Sequence, residues 1–470
     1  MQPKMSRKRF FTAAILPALI AGFAVSIFPR AARAAEAETT QPAKTSFEFS
    51  FGPGKVAPGY TQVLPDTVYS EERGFGFEAG AAVTGVDRGG DDAVRSHFIT
   101  SDKPFYFSVK VPEEGNYRVT ATLGDSIGET TTTIKAELRR LMVEKLHTAA
   151  GQFATVSFIV NTRTPQIPAV GDIKAGEVRL KPREKAGEAR AWDEKLTLEF
   201  VDARPCICAL EIQKVDNLPV IYVCGDSTAC DQPGESYASW GQMLTRFFKP
   251  DVAVANHGES GESLRGFLGE RRWDKVMSLI KPGDYMIVQM GHNDEKEQGP
   301  GVGALTTYKT DLKRFVADTR AKGATPIIVS PMERRNFTGD KIRPSHGDYP
   351  EAVREVAKED QVAFVDLTAL SVTFYETLGP DKAYLAFAGT GLQRDATHHD
   401  NYGAYELAKC IVQGIKDNKL DLAKHIVDDF TGFDPAHPDP VDTFVMPPIR
   451  APGAAPDTGP QSNNQPPLGS

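Results

Sequence analysis

PVIYVCGDSTAC, Pro219 to Cys230, is an apolar run that stops at Gly225-Asp226-Ser227-Thr228. Val220–Cys224 has the length and β-branched content of a strand buried on both faces, and its polar stop leaves a serine at the strand's carboxyl end. Further runs of this kind follow at Val252–Asn256, Tyr285–Met290, Pro326–Ser330 and Ala363–Leu367. Helical stretches separate them. Tyr308, Leu312, Phe315 and Val316 fall at i, i+4, i+7 and i+8, and Ala408, Ile411, Val412 and Ile415 mark the apolar stripe of a last helix. Strands alternating with helices predict an α/β domain over 218–436, with a parallel five-stranded sheet and helices on both faces.

Ahead of this domain, 45–215 reads as all-β. Phe105, Phe107, Val109 and Val111 alternate with polar residues, Glu113–Asn116 turns the chain, and Tyr117–Leu123 alternates again. Phe153–Val160 and Leu196–Phe200 have the same period, which predicts a sandwich. The stretch Ile134–Leu146 fits a strand or a helix equally. Beyond about His437 the prolines cluster, and 437–470 reads as a disordered tail.

The first residues read as a targeting segment. Lys4, Arg7, Lys8 and Arg9 precede the apolar run Phe10–Phe28, and Ala32-Arg33-Ala34 offers a cleavage site, so 1–34 is expected to be a signal peptide on an exported protein. The run is nearly long enough to serve as an uncleaved anchor instead. The pair of arginines in SRKRFF is split by Lys8 and matches a twin-arginine signal poorly. Over the 470 residues, 40% are hydrophobic and 25% charged, and the mean hydropathy of -0.32 excludes a polytopic membrane protein. The net charge of -8, with no long basic run after the leader, gives no footprint for nucleic acid. Five cysteines are too few for a disulfide framework. Cys206 and Cys208 share one strand face beside Leu210 and Ile212, where they act as small apolar residues; a Cys224–Cys230 bridge is permitted by spacing, and no spacing matches structural zinc.

Ligands in open parallel sheets sit outside the carboxyl ends of the strands. Three loops reach that edge: Gly225–Thr228, NHGESGES from Asn256 to Ser263, and Gly291-His292-Asn293-Asp294. A serine nucleophile needs a base, itself oriented by a third group. DATHHD, Asp395 to Asp400, supplies both: a spacing of three lets the Asp395 carboxylate fold back onto one nitrogen of His398, leaving the other to face Ser227. Donors for a developing oxyanion are the amides of Ser227 and Gly261 and the carboxamide of Asn293. The α/β-hydrolase elbow G-x-S-x-G does not fit, because Ala229 stands where its second glycine would. The same residues admit plainer roles. Asp226 is expected to organise its own loop, Asn293 and Asp395 suit turns or caps, and His398, His399, Asp395 and Asp400 offer the donor set of a metal hydrolase.

GDST, the glycine of the second loop, GHND and D-x-x-H resemble the four blocks of the SGNH/GDSL hydrolase superfamily. GDSTACDQ, SWGQML, NHGESGES, KPGDYMIVQMGHND and DATHHDNYGA are similar to the rhamnogalacturonan acetylesterase group of carbohydrate esterases, over about 218–416. The resemblance implies a three-layer α/β/α, flavodoxin-like domain with Ser227 as nucleophile, His398 as base and Asp395 as its orienting carboxylate. It also implies an oxyanion hole from Ser227, Gly261 and Asn293, with no cofactor and no metal. The implied partner is an acetylated polysaccharide, rhamnogalacturonan first, with acetylxylan or other short-chain esters as the alternative; no membrane partner is expected once the leader is cleaved. One departure is Glu262, where many relatives carry arginine after the oxyanion-hole glycine. The β domain resembles the galactose-binding-like, jelly-roll modules that precede such esterases. Trp192 is its candidate for stacking on a sugar, against an ordinary packing role. A binding protein that kept the fold without activity is the rival in a different class. Arg265, Arg271 and Arg272 are open to two readings, contacts for uronate carboxylates or a solvated helix face.

Overall fold

In the computed structural model, which describes residues 45–446, the period-two runs of the first half form two five-stranded sheets that share one core. One sheet runs Phe153–Thr162, Gly115–Gly124, Ala209–Lys214, Ser46–Phe51, Thr61–Val63; the other runs Phe75–Phe77, Phe105–Lys110, Lys195–Val201, Thr130–Ala136, Arg140–Thr148. Pairing is antiparallel except between Ser46–Phe51 and Thr61–Val63. Phe107 centres the core, with the rings of Phe49, Phe51 and Phe77 at 5.3, 5.0 and 5.5 Å, all near edge-on. The ambiguous stretch Ile134–Leu146 is a β-hairpin, Thr130–Ala136 against Arg140–Thr148, whose turn carries Glu137 and Arg139 at φ of 55° and 67°. Left-handed backbone at two bulky residues costs about 1–2 kcal/mol each, so this turn must be held from outside.

It is held by the second half of the chain. There the parallel sheet runs Ala253–Asn256, Val220–Gly225, Tyr285–Gln289, Thr325–Val329, Ala363–Val365. Each strand lies within two residues of its expected run. The strands are buried on both faces, and alternate residues enter different cores. Ile221 and Val223 pack with Trp240, Leu407 and Ile411, whereas Val220, Tyr222 and Cys224 pack with Trp273, Phe315 and Val353. The strand Val220–Gly225 lies between the second and third strands, so the crossovers diverge from it. That switch point is where such sheets open a crevice, and Ser227 stands at its mouth.

The two halves share their interiors. Leu141 of the hairpin belongs to the core of Trp240 and Met243, and Ile159 of the sandwich to that of Val220 and Tyr222. Arg139 donates to the carbonyls of Gln232 and Tyr237 at 3.0 and 2.8 Å, and Arg140 pairs with Asp231 at 3.3 Å. Gln242 and Thr245 in turn donate to the carbonyls of Leu138 and Leu141.

All five cysteines are buried and free. Cys206 and Cys208 lie in the sandwich core as the alternation predicts. The permitted Cys224–Cys230 bridge is not formed: Cys224 is in the core of Trp273, while the Cys230 sulfur faces Ser260 and Gln232. The expected tail begins too early at 437. Asp439 pairs with Lys409 and accepts from the Tyr402 hydroxyl, and Phe444 packs on Tyr402 and Tyr405, so apolar contacts hold the proline-rich chain at least that far. The leader 1–34 and residues beyond 446 lie outside the described residues. Among those described, no helix is long and apolar enough to cross a membrane.

Candidate active site

The strand Val220–Gly225 turns sharply into the GDST loop because Gly225 has no side chain: a Cβ there would meet the Ala229 Cβ at 2.4 Å. Asp226 is fully buried and accepts the amide and hydroxyl of Thr228 at 2.9 and 2.7 Å, the loop-organising role its position suggests. Ser227 alone among the described residues Val220–Cys230 reaches the surface. Its Oγ lies 2.8 Å from His398 Nε2, and His398 Nδ1 lies 2.9 Å from Asp395 Oδ2. A proton on Nδ1, donated to the carboxylate, leaves Nε2 to accept from the serine hydroxyl.

Asp395 and His398 lie in the strand Gln393–His399, where a spacing of three would normally place them on opposite faces. The chain solves this with a turn, in which Asp395 Oδ1 accepts the amides of Thr397 and His398 at 2.6 and 3.0 Å and brings Oδ2 onto the ring. Burial pushes the Asp395 carboxyl up, but the bonds from the His398 ring and the two amides outweigh it and hold the group well below the usual carboxylate range. The loop is pinned on two sides, by Ala238 N to His399 O at 2.8 Å and Arg335 N to Ala396 O at 2.8 Å. Tyr237, 38% exposed, sets its ring edge-on to His398 at 5.7 Å.

Gly261 and Asn293 also come to this edge. Gly261 is exposed with φ of +79°, a left-handed conformation that favours glycine, and Asn293 Nδ2 donates to the Glu262 carbonyl at 3.0 Å. That bond uses one of the two Nδ2 protons. The neighbouring Ser263 caps the helix Leu264–Gly269.

The donor set for a metal hydrolase is not assembled. His399 turns away from His398 into the core, where its Nε2 shares a hydrogen bond with the Tyr375 hydroxyl at 2.6 Å. Asp400 caps the helix Asn401–Asp417 through Gly403 N and pairs with Arg394. Among the described residues the one acidic cluster with ligand spacing is Glu184, Glu188 and Glu259, all buried. Arg183 and Arg272 already neutralise it, and burial beside Glu259 pushes the Glu188 carboxyl up. Trp192 is not a sugar platform: it is 7% exposed, lies under Arg163 and donates to Glu184. Arg272, read as a candidate substrate contact or solvated residue, is fully buried on Glu184 and Glu270. Arg271 pairs with Asp274 and the Lys174 carbonyl; Arg265 stays half-exposed between Glu297 and Asp311.

His399 carries a pH signature. Burial lowers its pKa to about 3 from an ordinary 6.5, so the folded state holds it neutral while the unfolded chain protonates. Its contribution is complete above pH 6.5 and is lost as pH falls through that window, amounting to about 3 kcal/mol by pH 4.5 at 1.36 kcal/mol per unit. His399→Phe should therefore gain on the parent by about that amount between pH 7 and 4.5 in paired urea titrations. A constant difference across the window would place the proton elsewhere.

Residues 223–399 match the GDSL-like lipase/acylhydrolase family, and residues 47–162 match the galactose-binding-like domain of β-agarase/YxiM-type esterases. The rhamnogalacturonan acetylesterase RhgT of Bacillus subtilis (strain 168) is 34% identical over 220 residues, 44% of this chain and 94% of that protein. An uncharacterized esterase of the same organism, YxiM, is 29% identical over 385 residues, covering 79% of this chain and 90% of its own. An acetylxylan esterase of Geobacillus stearothermophilus is 25% identical over 169 residues, 33% of this chain and 76% of that enzyme. The serine at the switch point, the matched blocks and the span of the RhgT likeness agree: the chain belongs to the GDSL-like lipase/acylhydrolase (SGNH) family of esterases, with a galactose-binding-like domain ahead of its hydrolase domain.

Proposed function

We propose that this protein is an exported serine esterase that removes acetyl groups from plant cell-wall polysaccharide, acetylated rhamnogalacturonan foremost. The observation that carries the reading is the chain of hydrogen bonds from Ser227 Oγ through His398 to Asp395, at 2.8 and 2.9 Å, at the switch point of the sheet. Ser227 Oγ attacks the acetyl carbonyl and gives its proton to His398 Nε2, while Asp395 stabilises the imidazolium. The oxyanion rests on the amides of Ser227 and Gly261 and on the free Nδ2 proton of Asn293. As the tetrahedral species collapses, the sugar hydroxyl leaves with the proton from His398. Water, activated by the same nitrogen, then frees acetate and restores the serine.

Tyr237 supports a sugar substrate: a half-exposed aromatic face beside the reacting pair suits stacking on a pyranose ring. The likeness to RhgT favours the pectic polymer, and the likeness to an acetylxylan esterase names the rival. Acetate release from acetylated rhamnogalacturonan and acetylated xylan, measured side by side, tests the assignment. Faster release from the pectic polymer is expected; release from xylan alone would keep the chemistry and overturn the substrate. Tyr237→Ala should raise KM on the polymer by about 10-fold and leave a small acetyl ester nearly unaffected, as loss of one stacking contact predicts. Amino-terminal sequencing of the secreted chain, expected to begin at Ala35, checks the leader.

A further inference from the structure

Two of the three donors assigned to the oxyanion hole, the Gly261 amide and the Asn293 carboxamide, have their far sides loaded with cations, and two of those cations come from the other domain. The Ser260–Gly261 peptide is one planar unit, so the Ser260 carbonyl and the Gly261 N–H point in opposite directions. Lys181 Nζ donates to that carbonyl at 2.9 Å, and Arg183 Nη2 donates to it as well. Both side chains reach past Gly261, where a Cβ would come within 3.8 Å of Arg183 Nη2 and 4.0 Å of Lys181 Nζ. They are held there by buried acids: Lys181 pairs with Glu262, Arg183 with Glu259, and neither acid is more than 3% exposed. The short helix Pro182–Gly187, which carries Arg183 and begins just after Lys181, is anchored in turn by Glu184 on Arg272 and Trp192. Asn293 repeats the arrangement. Its Nδ2 carries the donor protons, and its Oδ1 accepts from Lys296 Nζ at 3.0 Å.

We propose that Lys181, Arg183 and Lys296 are positioning residues of the oxyanion hole, acting through the carbonyl oxygens of the amides that donate to it. The inference rests on the reading of Gly261 and Asn293 as that hole. A cation on an amide oxygen does two things. It fixes the plane of the amide, so that the N–H direction is set before substrate arrives. It also draws electron density toward the oxygen, which makes the N–H a stronger donor to developing negative charge than to a neutral carbonyl. The benefit therefore grows on the way to the tetrahedral intermediate, which is the condition for raising kcat rather than lowering KM. Glu262, the departure from the family pattern, becomes intelligible here: it is turned inward and serves as the counter-ion that keeps Lys181 on the Ser260 carbonyl.

The test uses the full-length protein and a small neutral acetyl ester, p-nitrophenyl acetate, which has no carboxylate for a cation to bind. Lys181→Met and Lys296→Met are each expected to lower kcat by about 5- to 20-fold, a fraction of the 10²–10³ lost with a whole donor, with KM changed less than about twofold. Lys181→Arg should restore most of the loss. Affinity for a trifluoromethyl-ketone analogue of the tetrahedral species should weaken in parallel with kcat, which a merely structural role would not produce. Lys296 is exposed, so its variant keeps the question open to decision even if Lys181→Met destabilises the domain contact. Unchanged kcat in Lys296→Met would overturn the proposal, as would an effect confined to KM on acidic polysaccharide. Asn293→Ala separates the two levels. Loss of about 10²–10³ in kcat there, with both lysine variants at the parental rate, sinks this inference alone; an Asn293→Ala enzyme at the parental rate sinks the hole reading beneath it.

Discussion

Ser227→Ala is expected to lower acetate release by about 10⁴- to 10⁶-fold, leaving only what substrate binding and the oxyanion donors achieve without a nucleophile. The size of the loss follows from the role. Among the described residues no other hydroxyl is hydrogen-bonded to His398 Nε2, and in the proposed reaction the serine oxygen is the atom that carries the acyl group. Little else should change. Removing one oxygen from a half-buried side chain whose partner ring remains held by Asp395 should move stability by no more than about 0.5 kcal/mol. Turnover and a urea melt on the same preparation test both statements, and a serine-directed phosphonate should label the parent once per chain and the variant not at all. A variant that keeps a large share of parental turnover would remove Ser227 from the mechanism. Chelator treatment that abolished turnover, with recovery on adding a divalent ion, would bring the metal-hydrolase reading forward.

Arg139→Met should be the most destabilising of the single changes considered, at about 3–5 kcal/mol, the usual cost of breaking a buried ion pair from one side. The guanidinium is 5% exposed and serves two backbone carbonyls, the Glu235 carboxylate at 2.6 Å and the Asn401 side chain at 3.4 Å. Methionine fills much of the volume and none of the bonding, so buried acceptors are stranded and the left-handed turn at Glu137 and Arg139 loses its support. The loss should reach the chemistry. The loop it holds, Gln232–Ala238, carries Tyr237 against His398 and gives Ala238 N to the His399 carbonyl. Turnover measured well below the melting transition should therefore fall by about 10-fold or more, because a displacement of order 1 Å at a reacting pair is costly. Parental turnover of the folded fraction would show that the hairpin joins the halves without tuning the site.

The hydrolase half was largely legible because its strands are buried on both faces. Five continuous apolar runs announce themselves, each ending in a short loop whose residues reach the same edge of the sheet. That Ser227, His398 and Asp395 come into contact could be read from loop position and a spacing of three, since a turn at Asp395 is a local event. The ambiguity at Ile134–Leu146 has a physical cause: the hairpin turn is stabilised by carbonyls about a hundred residues away, not by glycine or asparagine. Arg272 was misjudged for the same reason, because the acid that buries it, Glu184, belongs to the other domain. Lys181, Arg183 and Lys296 gave no signal, since a cation in a loop reads as solvated until its carbonyl is seen.

The five free cysteines allow the halves to be timed separately. Burial pushes each thiol up, so a native molecule offers an alkylating reagent neither access nor thiolate. Modification must wait for an opening event. Cys206 and Cys208 report on the sandwich, and Cys224, Cys230 and Cys410 on the hydrolase half, so peptide mass mapping during slow alkylation would rank which half opens first without any engineered probe. If the two sets react at one common rate, the interleaved hairpin has made two architectures into a single cooperative unit.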